Sequence, residues 1–161
     1  MTSMANHELS KAEWRNKAEA YCAKSEHCAA DVRRKLYEWQ VPEYLSDGIV
    51  ESLYSDNFLN DARFCHAYVH DKVEYQRWGR LKIQAGLRAL DLPEAEIRKS
   101  LDEIDEITYA KNLRALIDSR KSDSPDKLLR FLAQRGFTYE EIQKNQYLCS
   151  VYEKCTSFSV V

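Results

Sequence analysis

The sequence predicts an all-α protein made of three tandem three-helix repeats that form a curved array. Three observations carry that expectation. Only four Gly and three Pro occur in 161 residues, whereas an all-β sandwich or barrel spends those residues on its many turns. Apolar residues recur at helical spacing. One pattern also returns three times: two apolar residues four apart, another apolar residue five positions on, a helix-starting Pro or Thr, and then further helically spaced apolar residues. It reads Val32 to Leu36, Val41-Pro42, Leu45 and Ile49; then Ile83 to Leu87, Leu92-Pro93, Ile97 and Leu101; then Leu128 to Leu132, Phe137-Thr138 and Ile142. Anchored on Leu36, Leu87 and Leu132, the copies lie 51 and 45 residues apart, a period that means stacked helical units.

Each element has a local reason. After an N-terminal extension, 1–13, the first unit spans 14–57. Trp14, Ala18, Tyr21 and Cys22 form an apolar stripe there, ahead of the repeated helix pair. The second unit, 58–104, opens on Asn60 and Asp61, whose side chains can accept from the unpaired amides of a first helical turn. Phe64, Ala67 and Tyr68 give its first helix an apolar face. The third unit, 105–146, has Tyr109, Leu113 and Leu116 after Asp105. Ser124-Pro125 is a cap followed by Pro at the first helical position, and Gly136 sits where that helix should stop. Residues 147–161 form a C-terminal tail. No linker rich in Pro, Gly or Ser divides the units, so the joints should be short.

Composition narrows the function. With 44% hydrophobic and 31% charged residues, the chain can bury a core and is not a disordered tail. The net charge of -2 excludes a protein that coats DNA by global basicity, though it permits a local basic face. No apolar run approaches the roughly 18 residues a membrane helix needs. Met1 to Trp14 also lacks the apolar stretch of a signal peptide, so a cytoplasmic protein is expected. Five scattered cysteines, Cys22, Cys28, Cys65, Cys149 and Cys155, suit reduced, mostly buried thiols. The four glycines are isolated and build no phosphate loop. His66 and His70 share a helix face, but the glutamate of the helical zinc-protease motif is missing. The expectation is no catalytic residue, no metal and no cofactor.

The basic stretch from Tyr75 to Leu90 carries Arg77, Arg80, Lys82 and Arg88 and no acid. On one continuous helix, Arg77, Arg80 and Arg88 share a narrow arc beside Trp78, while Ile83 and Leu87 face the core. A second cluster follows at Lys111, Arg114, Arg120 and Lys121. Residues 13–57 hold six basic and nine acidic side chains, a net of -3. Residues 63–135 hold fifteen and twelve, a net of +3. An anionic partner should therefore meet the later units, where Arg forks suit phosphate or carboxylate and a flat ring can stack on a base.

From about Lys17 to Ile142 the chain resembles the RecX family of RecA regulators. Phe58-Leu59-Asn60-Asp61-Ala62-Arg63-Phe64 is similar to the family's aromatic-hydrophobic-Asn-Asp-x-Arg-aromatic segment. Lys72 and then Arg77-Trp78-Gly79 resemble its Lys and its basic-aromatic-Gly segment, and Arg80 to Leu87 its basic-x-x-Ile-x-x-x-Leu run. Lys35-Leu36 matches a further pair, with Asp31-Val32 standing in for Glu-Leu. Lys24 replaces a frequent Arg, and Gln40 and Asp91 replace a common Gly ahead of the third helix. The resemblance implies a three-repeat helical monomer that binds the RecA filament on single-stranded DNA. It also implies that the protein damps strand exchange, ATP hydrolysis and filament extension by occupancy, without catalysis. Lys72, Arg77, Trp78, Arg80, Lys82, Arg88, Lys111, Arg114, Arg120 and Lys121 are the candidates for contact with RecA or with single- or double-stranded DNA. A helical DNA binder that never meets RecA and an adaptor that binds only protein are the competing classes.

Overall fold

A computed structural model describes residues 9–145, and these form helices joined by short turns, with no strand among them. The order is α1 (Lys11–Cys22), α2 (Ala29–Glu38), α3 (Glu43–Ser55), α4 (Asp61–Glu74), α5 (Arg80–Ala89), α6 (Glu94–Asp102), α7 (Glu106–Asp118), α8 (Pro125–Gln134) and α9 (139–145). Helix α1 begins within the expected extension. Ser10 caps it, accepting from the Glu13 amide while the Glu13 carboxylate accepts from Ser10 N at 2.7 Å, and this reciprocal box satisfies two unpaired donors. Cys149, Cys155 and the expected tail lie outside the described residues.

The helix starts follow the capping chemistry of the sequence. Asn60 accepts from Arg63 N at 2.9 Å at the start of α4, and Asp105 accepts from Thr108 N at 2.8 Å at the start of α7. That amide hydrogen bond holds Asp105 below the usual carboxylate range. Ser124 and Pro125 open α8, and Thr138 with Glu141 forms a second reciprocal box at α9. The middle helices end on residues with positive φ: Gln40 at 60°, Asp91 at 58° and Gly136 at 92°. Gln40 and Asp91 are the two positions where the family resemblance leads to the expectation of Gly. The structure supplies the reason, since only Gly enters the left-handed region without a steric cost.

Packing produces two cores rather than three. Ala18, Val32, Leu36, Ile49, Leu53 and Leu59 form one inside α1–α3. The second is continuous through α4–α9: Phe64, Val69, Ile83, Leu87 and Ile97 meet Tyr109, Leu113, Leu132, Phe137 and Ile142. Leu36, Leu87 and Leu132 are each 0% exposed, as equivalent positions in three repeats should be. Cys22, Cys28 and Cys65 are buried free thiols, and burial pushes Cys22 and Cys65 up to about 11.

Candidate functional site

The segment Phe58–Phe64 builds the joint between the first and second units. Leu59 sits in the first core and Phe64 in the second. Between them Asp61 accepts from the Tyr54 hydroxyl at 2.6 Å. Arg63 donates to Glu26 across the joint at 2.9 Å, and to the Asn57 side chain and carbonyl at 2.9 and 3.1 Å. Asp61 and Arg63 are thus spent on holding the two units together, while Asn60 caps α4.

Gly79 does the same for the second and third units, through backbone. Its amide donates to the Arg135 carbonyl at 2.7 Å, and Leu81 N donates to the Gly136 carbonyl at 3.1 Å. A β-carbon on Gly79 would stand 2.3 Å from the Gly136 carbonyl group, and one on Gly136 would stand 2.4 Å from Lys82. Two chain segments meet here at a distance that only two glycines permit. Around them Asn112 donates to the Val73 carbonyl, and Arg80 N donates to the Tyr109 hydroxyl at 2.9 Å. Burial is the main cause that raises the Tyr109 phenol, so at neutral pH it remains a hydroxyl able to accept that bond.

The continuous ridge of Arg77, Arg80 and Arg88 is not what forms. Arg77 precedes α5, with φ of 51°, so it does not share a helix face with Arg80 and Arg88. Arg80 is turned inward, its side chain only 26% exposed. Its guanidinium pairs with Glu106 and with Glu141 at 3.1 Å and lies over the Tyr109 ring at 4.1 Å. Arg80 is thus a clamp on the third unit. Arg88 is exposed but donates twice to Glu94, and that bond holds the Glu94 carboxyl below its ordinary range. The run from Tyr75 to Leu90 lacks acid, and its counter-charges arrive from α6, α7 and α9.

What forms instead is a cation–aromatic strip that crosses the second joint. Trp78 is half-buried between two ammonium groups, Lys72 at 5.0 Å and Lys82 at 4.3 Å from the ring centre. Past the Gly79–Gly136 contact, Arg135 donates to the Gln76 carbonyl at 2.8 Å and shares a surface concavity with Tyr75 and Arg77. Phe131 lies between Arg135 and Arg120, whose guanidinium carbons are 5.4 and 4.2 Å from its ring. Such contacts fix cations without neutralising them. Arg77 has no ion pair among the described residues, while Arg120 also reaches Asp123 at 3.1 Å. Lys121 pairs with Asp118, Lys111 is exposed, and Arg114 is half-buried with an Nε that lacks an acceptor. Arg135, Phe131 and Tyr75 are additions to the sequence-derived candidates. Arg135 stands beside Gly136, and its neighbourhood is visible only once the two glycines touch.

His66 and His70 are exposed on α4. His66 Nδ1 is 3.1 Å from Glu103, and among the described residues no three His, Cys, Asp or Glu side chains are grouped to hold a metal. No helix among them is long and apolar enough to cross a membrane.

Comparison with known proteins agrees with this architecture. Residues 60–101 match the family model described as RecX, second three-helix domain, which covers α4–α6. The regulatory protein RecX of Pelodictyon phaeoclathratiforme is 31% identical over 125 residues, spanning 73% of this chain and 76% of that protein. The chain belongs to the RecX family. RecX of Herminiimonas arsenicoxydans is 27% identical over 76% of this chain and 83% of its own length. The crystal structure of RecX from Lactobacillus salivarius superposes with a TM-score of 0.72 at 17% identity, covering 88% of this chain and 97% of that one. The three-repeat helical array is therefore the RecX fold, and the chain is a RecX-type regulatory protein.

Proposed function

We propose that this chain binds the RecA filament on single-stranded DNA and inhibits its ATP hydrolysis and strand exchange by occupancy, as a cytoplasmic monomer with no chemistry of its own. The observation that carries this reading is the cation–aromatic strip of Lys72, Trp78, Lys82, Arg77, Arg135, Phe131 and Arg120 in a chain of this family. Arginine forks and ammonium groups held on rings suit phosphate or carboxylate. The strip spans a joint locked by backbone hydrogen bonds, so little ordering is lost on binding.

The test is RecA-driven ATP hydrolysis with RecA already loaded on DNA and this protein substoichiometric. The wild type should inhibit. Arg77→Glu with Arg120→Glu should weaken inhibition about tenfold or more and lower the salt dependence of binding by about one phosphate contact per residue. The same reversals at Arg33 and Arg34, in the net-acidic first unit, should do less. Arg80 is unsuitable for this test, because a glutamate facing Glu106 and Glu141 would open the joint. Inhibition seen only through competition for free DNA would instead favour the DNA-binding reading, and equal loss from both pairs would displace the strip as the contact.

A further inference from the structure

A second concavity lies between α4, α6 and the first turn of α7, and its chemistry is opposite to that of the strip. Its floor is apolar, made by Val69, Val73 and Ile104, and its polar lining includes Glu74, Glu103 and Asp105 together with His66, His70 and Thr108. The Ser100 side chain also lines it. Ser100 is 5% exposed, and its hydroxyl has no hydrogen-bond partner among the described residues. The hydroxyl is reached from this cavity rather than sealed in the core, so it can accept from a donor that enters. Asp105 is held as carboxylate by the Thr108 amide. Glu103 meets His66, and Glu74 has no ion pair among the described residues.

We propose that this cavity receives the cationic side chain of an arginine or lysine presented by a protein partner. The volume is about 140 Å³, well below the roughly 300–1,000 Å³ of a small-molecule or nucleotide pocket, and it suits one long side chain. An aliphatic stem would lie on Val69, Val73 and Ile104. The charged head would meet Glu74 and Glu103 and donate to the idle Ser100 hydroxyl, which matches how long cationic side chains divide between apolar and polar surroundings. Phosphate is disfavoured, because the three carboxylates outnumber the two histidines of the lining. A metal ion does not fit, because among the described residues no three ligating side chains are grouped to hold one. Glu74 also lines the concavity that holds Arg77 and Arg135. The acidic receptor therefore abuts the cationic strip and adds a short-range demand for a basic side chain. This goes beyond the filament reading and does not depend on it.

The probe is Nα-acetyl-arginine amide titrated into the ¹⁵N-labelled full chain, with the citrulline analogue as an uncharged isostere. Saturable shifts of the Ser100, Glu103 and Thr108 amides are expected with arginine and not with citrulline. Glu74→Gln with Glu103→Gln should weaken that binding by roughly tenfold or more while leaving the remaining spectrum and the melting temperature in place. Ser100→Ala should weaken it less. Equal shifts with citrulline, absence of saturation, or an unaltered titration in the double Gln variant would overturn the proposal. None of these readouts involves RecA, so failure here leaves the filament reading untouched.

Discussion

The two joints of this molecule are made of different material. Between the first and second units the contacts are side chains: Arg63 to Glu26 and Tyr54 to Asp61, with Cys28 and Ala30 reaching the second core. Between the second and third units backbone meets backbone at Gly79 and Gly136, and one apolar core runs through both. Partly exposed ion pairs contribute about 0–1 kcal/mol each and weaken with salt. A shared core and a glycine contact without room for a methyl group depend far less on ionic strength. The comparison teaches that three equivalent repeats need not give three equivalent interfaces. It also places the cation–aromatic strip on the rigid joint and leaves the first unit as the more independent body.

The largest expected effect tests the division of the core. Leu36→Ala, Leu87→Ala and Leu132→Ala should each cost about 2–5 kcal/mol, as the removal of a fully buried leucine does. Hydrogen exchange distinguishes them. Leu36→Ala should lower protection in α1–α3 far more than elsewhere, whereas Leu87→Ala and Leu132→Ala should lower it together across α4–α9. Identical protection patterns for all three would mean that the two cores unfold as one.

Gly79→Ala sharpens the contrast at the joints. Its methyl group would overlap the Gly136 carbonyl, and backbone has little room to yield, so the loss should be about 1–3 kcal/mol. Arg63→Ala, at the other joint, should cost less and mainly in low salt, because the Arg63–Glu26 pair is 39% and 34% exposed. Chemical denaturation at two ionic strengths reads both. A salt-independent loss at Arg63 exceeding that at Gly79 would reverse the ranking.

The smallest effect has the opposite sign. Gln40→Gly and Asp91→Gly relieve a left-handed backbone worth about 1–2 kcal/mol and give back about 0.5–1 kcal/mol in unfolded-chain entropy. Each should stabilise by a few tenths to about 1 kcal/mol. Melting temperatures that fall on either substitution would show that these side chains make compensating contacts.

The helical array was legible in the sequence because its causes are local. Asn60, Asp105 and Ser124-Pro125 set helix starts within one turn, Gly136 marks a stop, and the spacing of Leu36, Leu87 and Leu132 reports burial directly. The candidate site was legible only in part. Lys72, Arg77, Trp78, Lys82 and Arg120 reach the strip, whereas Arg80 leaves it because Glu106 and Glu141 stand far away in the chain. Arg135 and Phe131 join it because Gly136 touches Gly79. Capping and periodicity are settled by neighbours within about four residues, so the sequence by itself determines them. The charge a side chain presents depends on which groups from other helices surround it, and only the tertiary structure decides that.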